Sequence, residues 1–137
     1  VSGFTLELHD ATRSEEIPGV TSFVGEDDSG SFGILPDHTR FMTSLVIGLA
    51  RFRVGDGPWQ YLAMPGALLY FRDNRLALTT RHYLRDDDYL RISSALTEQL
   101  LAEEAQLRDM KQTLRHMEED ILRRLWEMSR AGTELGG

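Results

Sequence analysis

Apolar and polar residues alternate along the first part of the chain with a period of two. Phe4, Leu6 and Leu8 are separated by Thr5 and Glu7; further on, Ile47 and Leu49 run with Arg51, and Phe52 and Val54 flank Arg53. A strand sends successive side chains to opposite faces, so this spacing predicts half-buried strands. Gly55-Asp56-Gly57-Pro58 and Asp73-Asn74 tolerate positive φ or preset a turn, and they read as hairpin connections. Segments 59–64, 67–71 and 76–80 then read as a meander. Short strands with no helical stretch between them predict an antiparallel β-sandwich over residues 1–85.

At Asp86 the pattern changes. From there to Arg130 the chain holds no Gly and no Pro and is rich in Leu, Glu, Gln, Arg and Met, a helix-forming composition. Leu96, Leu100, Leu107, Met110, Leu114, Met117, Ile121 and Met128 fall on one ladder of alternating three- and four-residue steps, broken only at Glu103 and Arg124. That ladder is a heptad seam. Asp86, Asp87 and Asp88 supply caps and negative charge where a helix begins, and Gly132 is placed to end it. The expected division is therefore a sandwich at 1–85, a helical arm at 86–131 and a flexible tail at 132–137, an α+β chain overall. An unbroken arm would be on the order of 60 Å long. A sandwich of this size cannot bury all of it, so the seam needs a second surface, either its own other half in a helical hairpin or a partner's helix. The register passes through residues 109–114 without a slip or a turn residue, which favours one long helix.

At 137 residues, with 41% hydrophobic and 27% charged, the composition is that of a globular chain with one core. A formal charge of −7 works against wrapping a phosphate backbone and argues against nucleic-acid partners. There are no cysteines, which excludes disulfides and thiolate chemistry. The opening residues show no basic and apolar leader, and no apolar stretch approaches the roughly 20 residues of a membrane span. Membrane association is therefore expected only through partners.

The segment Gly25-Glu26-Asp27-Asp28-Ser29-Gly30-Ser31-Phe32-Gly33-Ile34-Leu35-Pro36-Asp37-His38-Thr39 resembles the signature of epsilon subunits of bacterial and chloroplast F-type ATP synthases, in which a Gly-bearing loop leads into Gly-Ile/Leu-Leu/Tyr-Pro-x-His. Phe41 to Leu45, Gly48, Pro65-Gly66-Ala67 and the opening Phe4 to Leu8 and Ile17 to Val20 stretches are similar to the same family. The resemblance implies a non-catalytic central-stalk subunit between the gamma subunit and the c-ring, peripheral on the cytoplasmic face of the bacterial membrane. It implies a c-ring-facing loop at Ser29, Gly30, Ser31 and Phe32, and a gamma-facing motif at Gly33, Pro36 and His38. Plainer readings are a hairpin turn for the loop and a side chain bonded within its own loop for His38. The arm, in relatives a mobile regulator that reaches the alpha and beta subunits, offers Leu100, Leu107, Met110, Leu114, Met117, Ile121 and Met128 as its interaction seam. The missing polar break departs from the family's helix-loop-helix arm, which speaks against an inhibitory hairpin and points to an alternative, sodium-type lineage; the sequence itself leaves the coupling ion open between H⁺ and Na⁺.

No phosphate-binding Gly-Lys loop and no Gly-x-Ser-x-Gly elbow occurs, so the chain is not expected to be an enzyme. His9, His38, His82 and His116 lack metal-ligand spacing, and Glu26-Asp27-Asp28 lacks the alternating oxygens of a Ca²⁺ loop. No metal or cofactor is expected. Some relatives bind ATP through Ile/Leu-Asp-x-x-Arg-Ala. Here Asp88 and Arg91 keep the Asp-x-x-Arg core, but Asp87 and Ile92 replace its apolar and Ala neighbours, so ATP is not favoured as a regulatory ligand over a plain N-cap pair. The rival to the rotor reading is a free-standing homo-oligomeric scaffold joined by a coiled coil.

Overall fold

A computed structural model describes residues 3–136, with side chains through Arg130. Nine strands are formed among the described residues: β1 (Phe4–His9), β2 (Ser14–Asp27), β3 (Gly30–Ile34), β4 (Phe41–Leu45), β5 (Gly48–Val54), β6 (Gln60–Met64), β7 (Ala67–Arg72), β8 (Arg75–Thr79) and β9 (Leu84–Asp86). Helix α1 (Tyr89–Ala95), a π-helical turn at Leu96–Leu100 and helix α2 (Leu101–Gly136) follow without a break. The α+β class and the single long helix are thus as the pattern suggests, and the helical hairpin is not formed.

The strands make a sandwich because β2 belongs to both layers. Its first half pairs with β1 and its second half with β3 and β5, with a register irregularity near Gly19 (φ 72°) where the strand turns from one layer to the other. One layer continues β1–β8–β7–β4 and the other β3–β2–β5–β6–β9. All pairs are antiparallel except β1–β8. The two-residue periods settle into the core as expected in β1 (Phe4, Leu6, Leu8) and β8 (Leu76, Leu78). These join Phe23, Phe52, Leu62, Leu69 and Phe71 in the central cluster.

Several expectations are corrected. The segments after Pro58 are not one meander: β6 pairs with β5 and β9, whereas β7 pairs with β4 and β8. Pro65 lacks an N–H for ladder bonding and Gly66 adopts φ 139°, so this corner carries the chain from one layer to the other. In β5 the buried residues are Ala50 and Phe52, while Val54 emerges at the strand end and Ile47 precedes the strand. The last strand, Leu84–Asp86, passes Arg85 by one residue, and the compact first unit runs on to Leu101. Its outer face carries a second cluster, Ala63, Ile92 and Leu100, with Leu49, Tyr61, Leu84 and Leu96 half-buried around it. The helix does not stop at Gly132 but runs to Gly136, because a glycine costs a helix only about 1 kcal/mol and no proline follows. Of the expected tail, Gly137 lies outside the described residues.

The π turn explains why Leu100 is inside. Ile92, Leu96 and Leu100 are spaced by four and four, which in a regular α-helix would carry the third residue away from the first. Leu101 N–H instead reaches back to the Leu96 carbonyl, five residues away, and the wider turn keeps all three facing the sheet.

Candidate functional site

The turn between β2 and β3 is organised by Asp27. Its Oδ1 accepts the Ser29 backbone N–H at 2.9 Å and the Ser29 hydroxyl, and its Oδ2 accepts the Thr43 hydroxyl at 2.7 Å. These bonds, the Ser29 hydroxyl first, hold the carboxyl below the usual carboxylate range. Gly30 sits at φ 120°, a region an L side chain rarely occupies. Of the four loop residues singled out, Ser29 and Ser31 are exposed and Gly30 is half-buried. Phe32 turns back, edge-on to Phe41 with ring centroids 5.3 Å apart. Gly25, opposite Phe32 in the ladder, is the residue that sequence reasoning passed over: a Cβ there would lie 2.9 Å from the Phe23 ring and 3.2 Å from that of Phe32.

Pro36 and Asp37 occupy the corners of a tight turn closed by His38 N–H to the Leu35 carbonyl at 3.2 Å. Asp37 adopts φ 66°, which proline at the preceding position suits. The turn is clasped from the β7–β8 hairpin: Asp37 N–H donates to Asn74 Oδ1 at 2.7 Å, and Asn74 Nδ2 donates to Asp37 Oδ1 at 2.8 Å. His38 Nδ1 lies 2.7 Å from the Thr39 carbonyl, and its ring covers Phe41 and Phe71 at 5.8 and 5.7 Å. The plainer reading of His38, a side chain bonded within its own loop, describes its contacts. Gly33 is exposed on β3 and Pro36 half-buried, so the motif brings its three residues to one loop without converging their side chains. The Asp73-Asn74 pair was legible as a turn, its reach across to Asp37 was not.

At the start of α1, Asp88 is the N-cap and its Oδ1 accepts the Arg91 backbone N–H at 3.1 Å. The Arg91 guanidinium grips Asp86 with Nε–Oδ2 2.5 Å and Nη2–Oδ1 2.7 Å. This pairing depresses the Asp86 carboxyl far below its ordinary value and raises Arg91. An open groove of about 970 Å³ lies beside it, lined among others by Arg13, Gln60, Arg85, Asp86 and Arg91. Its guanidinium groups are engaged by the chain itself: Arg13 donates to the Tyr83 carbonyl at 2.8 Å, and Arg85 donates to Gln60 Oε1 at 2.7 Å and to Glu15 at 3.3 Å. A polyphosphate would have to displace Asp86 from Arg91. Asp88 is thus the expected N-cap, but the expected i,i+3 side-chain pair with Arg91 is not formed, because the guanidinium goes to Asp86 instead.

Along α2 the seam residues Leu107, Met110, Leu114, Met117, Ile121 and Met128 are exposed, each by 36% or more. Leu100 is not one of them. Fully buried with Ala63 and Ile92, it belongs to the first unit, because the π turn rotates it towards the sheet. Leu125, four residues after Ile121, stands beside the seam where Arg124 interrupts it.

Comparison with known proteins agrees with this architecture. Residues 4–85 match the family described as the ATP synthase delta/epsilon chain, β-sandwich domain. An ATP synthase epsilon chain 2 of Cereibacter sphaeroides is 35% identical over 61% of this chain and 58% of its own length. An ATP synthase epsilon chain of Leptospira interrogans is 30% identical over 50% of this chain and 54% of its own. The chain thus spans a little over half the length of these curated relatives. Among solved structures, a chain in the central stalk/c-ring structure of the Tetrahymena thermophila mitochondrial ATP synthase superposes with TM-score 0.51 at 12% identity, covering 61% of this chain and 69% of that one. A chain of the Euglena gracilis mitochondrial ATP synthase, in an OSCP/F1/c-ring structure, gives 0.56 at 17%, covering 72% and 64%. These two likenesses concern the fold. With the family's sequence pattern matched across the whole sandwich, this chain belongs to the ATP synthase delta/epsilon chain β-sandwich family.

Proposed function

We propose that the chain is a non-catalytic rotor subunit of an F-type ATP synthase, its sandwich joining the gamma subunit to the c-ring in the central stalk. The observation that carries this reading is the family match over residues 4–85, whose curated relatives bear the name ATP synthase epsilon chain. The geometry is compatible with a docking body. Ser29 and Ser31 project from a turn held rigid by Asp27, and the Leu35–His38 turn is fixed by Asn74, so both loops meet a partner without first having to be ordered. In this reading the exposed serines and Gly30 face the c-ring, and the Gly33-Pro36-His38 loop faces gamma. The arm, through the seam from Leu107 to Met128, contacts gamma or the alpha and beta subunits and regulates ATP hydrolysis. No helix of the described residues is long and apolar enough to cross a membrane; in this reading the chain is peripheral on the cytoplasmic face, held by its partners.

The experiment is co-purification with a gamma subunit from the same genome, comparing the full chain with a version ending at Leu101, the end of the first compact unit. Capture of gamma by both supports the sandwich as the docking body. Capture by the full chain alone makes the arm the attachment, and capture by neither overturns the rotor reading.

A further inference from the structure

We propose that the chain, when free of other proteins, pairs with a second copy of itself through α2 as an antiparallel coiled coil in a single register, Leu114 of one copy facing Met117 of the other. The inference does not rest on the rotor reading, since it concerns the isolated chain.

Leu107, Leu114, Ile121 and Met128 occupy the a positions of a heptad, and Met110 and Met117 occupy d positions; all are exposed. A stripe of this length on a helix needs a cover, and the charges around it select one. The remaining d positions are Glu103 and Arg124. A parallel pair stacks each residue on its own copy, so it would set Glu103 against Glu103 and Arg124 against Arg124, two like-charge layers at the core. Antiparallel pairing avoids both, because reversing one helix places each a residue opposite a d residue.

The flanks then choose the register. In an antiparallel pair, e positions face e and g positions face g. With Leu114 opposite Met117, Lys111 faces Glu118 of the second copy, and by symmetry the contact occurs twice. In the same register Asp120 faces Thr113, Glu127 faces Gln106 and Glu104 faces Leu125, so no like charges meet. Shifting by one heptad in one direction sets Lys111 on Lys111 and Glu104 on Glu118; shifting in the other sets Asp120 on Asp120 and Glu118 on Glu118. Of these three registers only the central one is free of repulsion, and specificity of this kind is what flanking charges supply. Glu103 then lies at the outer end beside Met128, and the aliphatic stem of Arg124 covers Leu107 with its charge outward. The paired length, Glu103 to Met128, is on the order of 40 Å. On joining an assembly, the chain would exchange the second copy for a partner's helix on the same seam.

The test uses the full chain, in sedimentation equilibrium and in cross-linking, which the natural absence of cysteine makes clean. A reversible dimer is expected. K111E and E118K, both on the exposed helix, are each expected to weaken it about tenfold, and the double variant K111E/E118K to restore the wild-type affinity. L114C mixed with M117C should form mixed disulfide dimers, while each alone forms few. Far-UV circular dichroism of all variants should stay at the wild-type helix content. A chain that remains monomeric overturns the proposal, as does efficient disulfide pairing of L114C with itself, or a dimer whose affinity ignores the two charge reversals.

Discussion

Asn74 and Asp37 show how much a single side chain can fix. Both hold positive φ, and the paired hydrogen bonds between them join the Leu35–His38 turn to the β7–β8 hairpin. Asn74→Gly keeps the backbone comfortable and removes the clasp, so it should cost about 1 kcal/mol. Asn74→Ala loses the clasp and also meets the left-handed penalty, about 1–2 kcal/mol more. Chemical denaturation of both variants checks the order. Tyr83 makes a second prediction. It is buried, donates to Glu15 at 2.8 Å and lies under the Arg13 guanidinium; burial, then the Glu15 bond and charge, push its hydroxyl up to about 12 from 10.0. A raised value means the folded state holds the proton longer than the unfolded one. The associated stability is complete below 10.0 and is lost as pH rises from there towards about 12. Tyr83→Phe should flatten that alkaline loss, measured as the denaturation midpoint across the same window. Asp27 has the opposite sign. Its depressed carboxyl stabilises the fold at neutral pH, and that contribution is lost as pH falls below the ordinary value of 3.8. The Asp37–Asn74 and Glu15–Tyr83 pairings were not legible beforehand, because the partners are 37 and 68 residues apart.

Among the elements, the helix after Asp88 divides at the π turn. Before it, Ile92 and Leu100 are buried against the sheet; beyond it, the apolar residues of α2 are exposed. The heptad ladder reads as one seam, yet Leu100 and Leu107 serve different surfaces. The period of a pattern states that residues share a face but not what covers it, and a π turn moves the face without leaving a Gly or Pro behind. Leu100→Ala should therefore cost about 2–4 kcal/mol through the cavity it leaves. Met110→Ala, at an exposed position, should stay within about 0.5 kcal/mol in the monomer. Denaturation at a concentration low enough to exclude self-association separates the two.

For the whole molecule, the compact unit ending at Leu101 sets where the chain can be cut. A version ending at Leu101 should melt cooperatively, close to the full chain. A version ending at Arg85 loses the cover over Ala63, Leu49 and Leu84 and the Asp86–Arg91 pair, and should melt lower or aggregate; thermal melts followed by circular dichroism distinguish them. What the sequence determined was local. Two-residue alternation marked the strands, the run without Gly or Pro marked the helix, and Gly33 to His38 marked the family, since each signal lies within a few neighbouring residues. Only the tertiary structure decided that β2 serves both layers, that β1 lies parallel to β8, that β6 and β7 part at Pro65-Gly66, and that Arg91 is held by Asp86. The strand choices depend on contacts between distant segments, and neither they nor the grip of Asp86 on Arg91 leaves a periodic trace, because a strand's or helix's pattern records the face it buries and not the neighbour it buries it against.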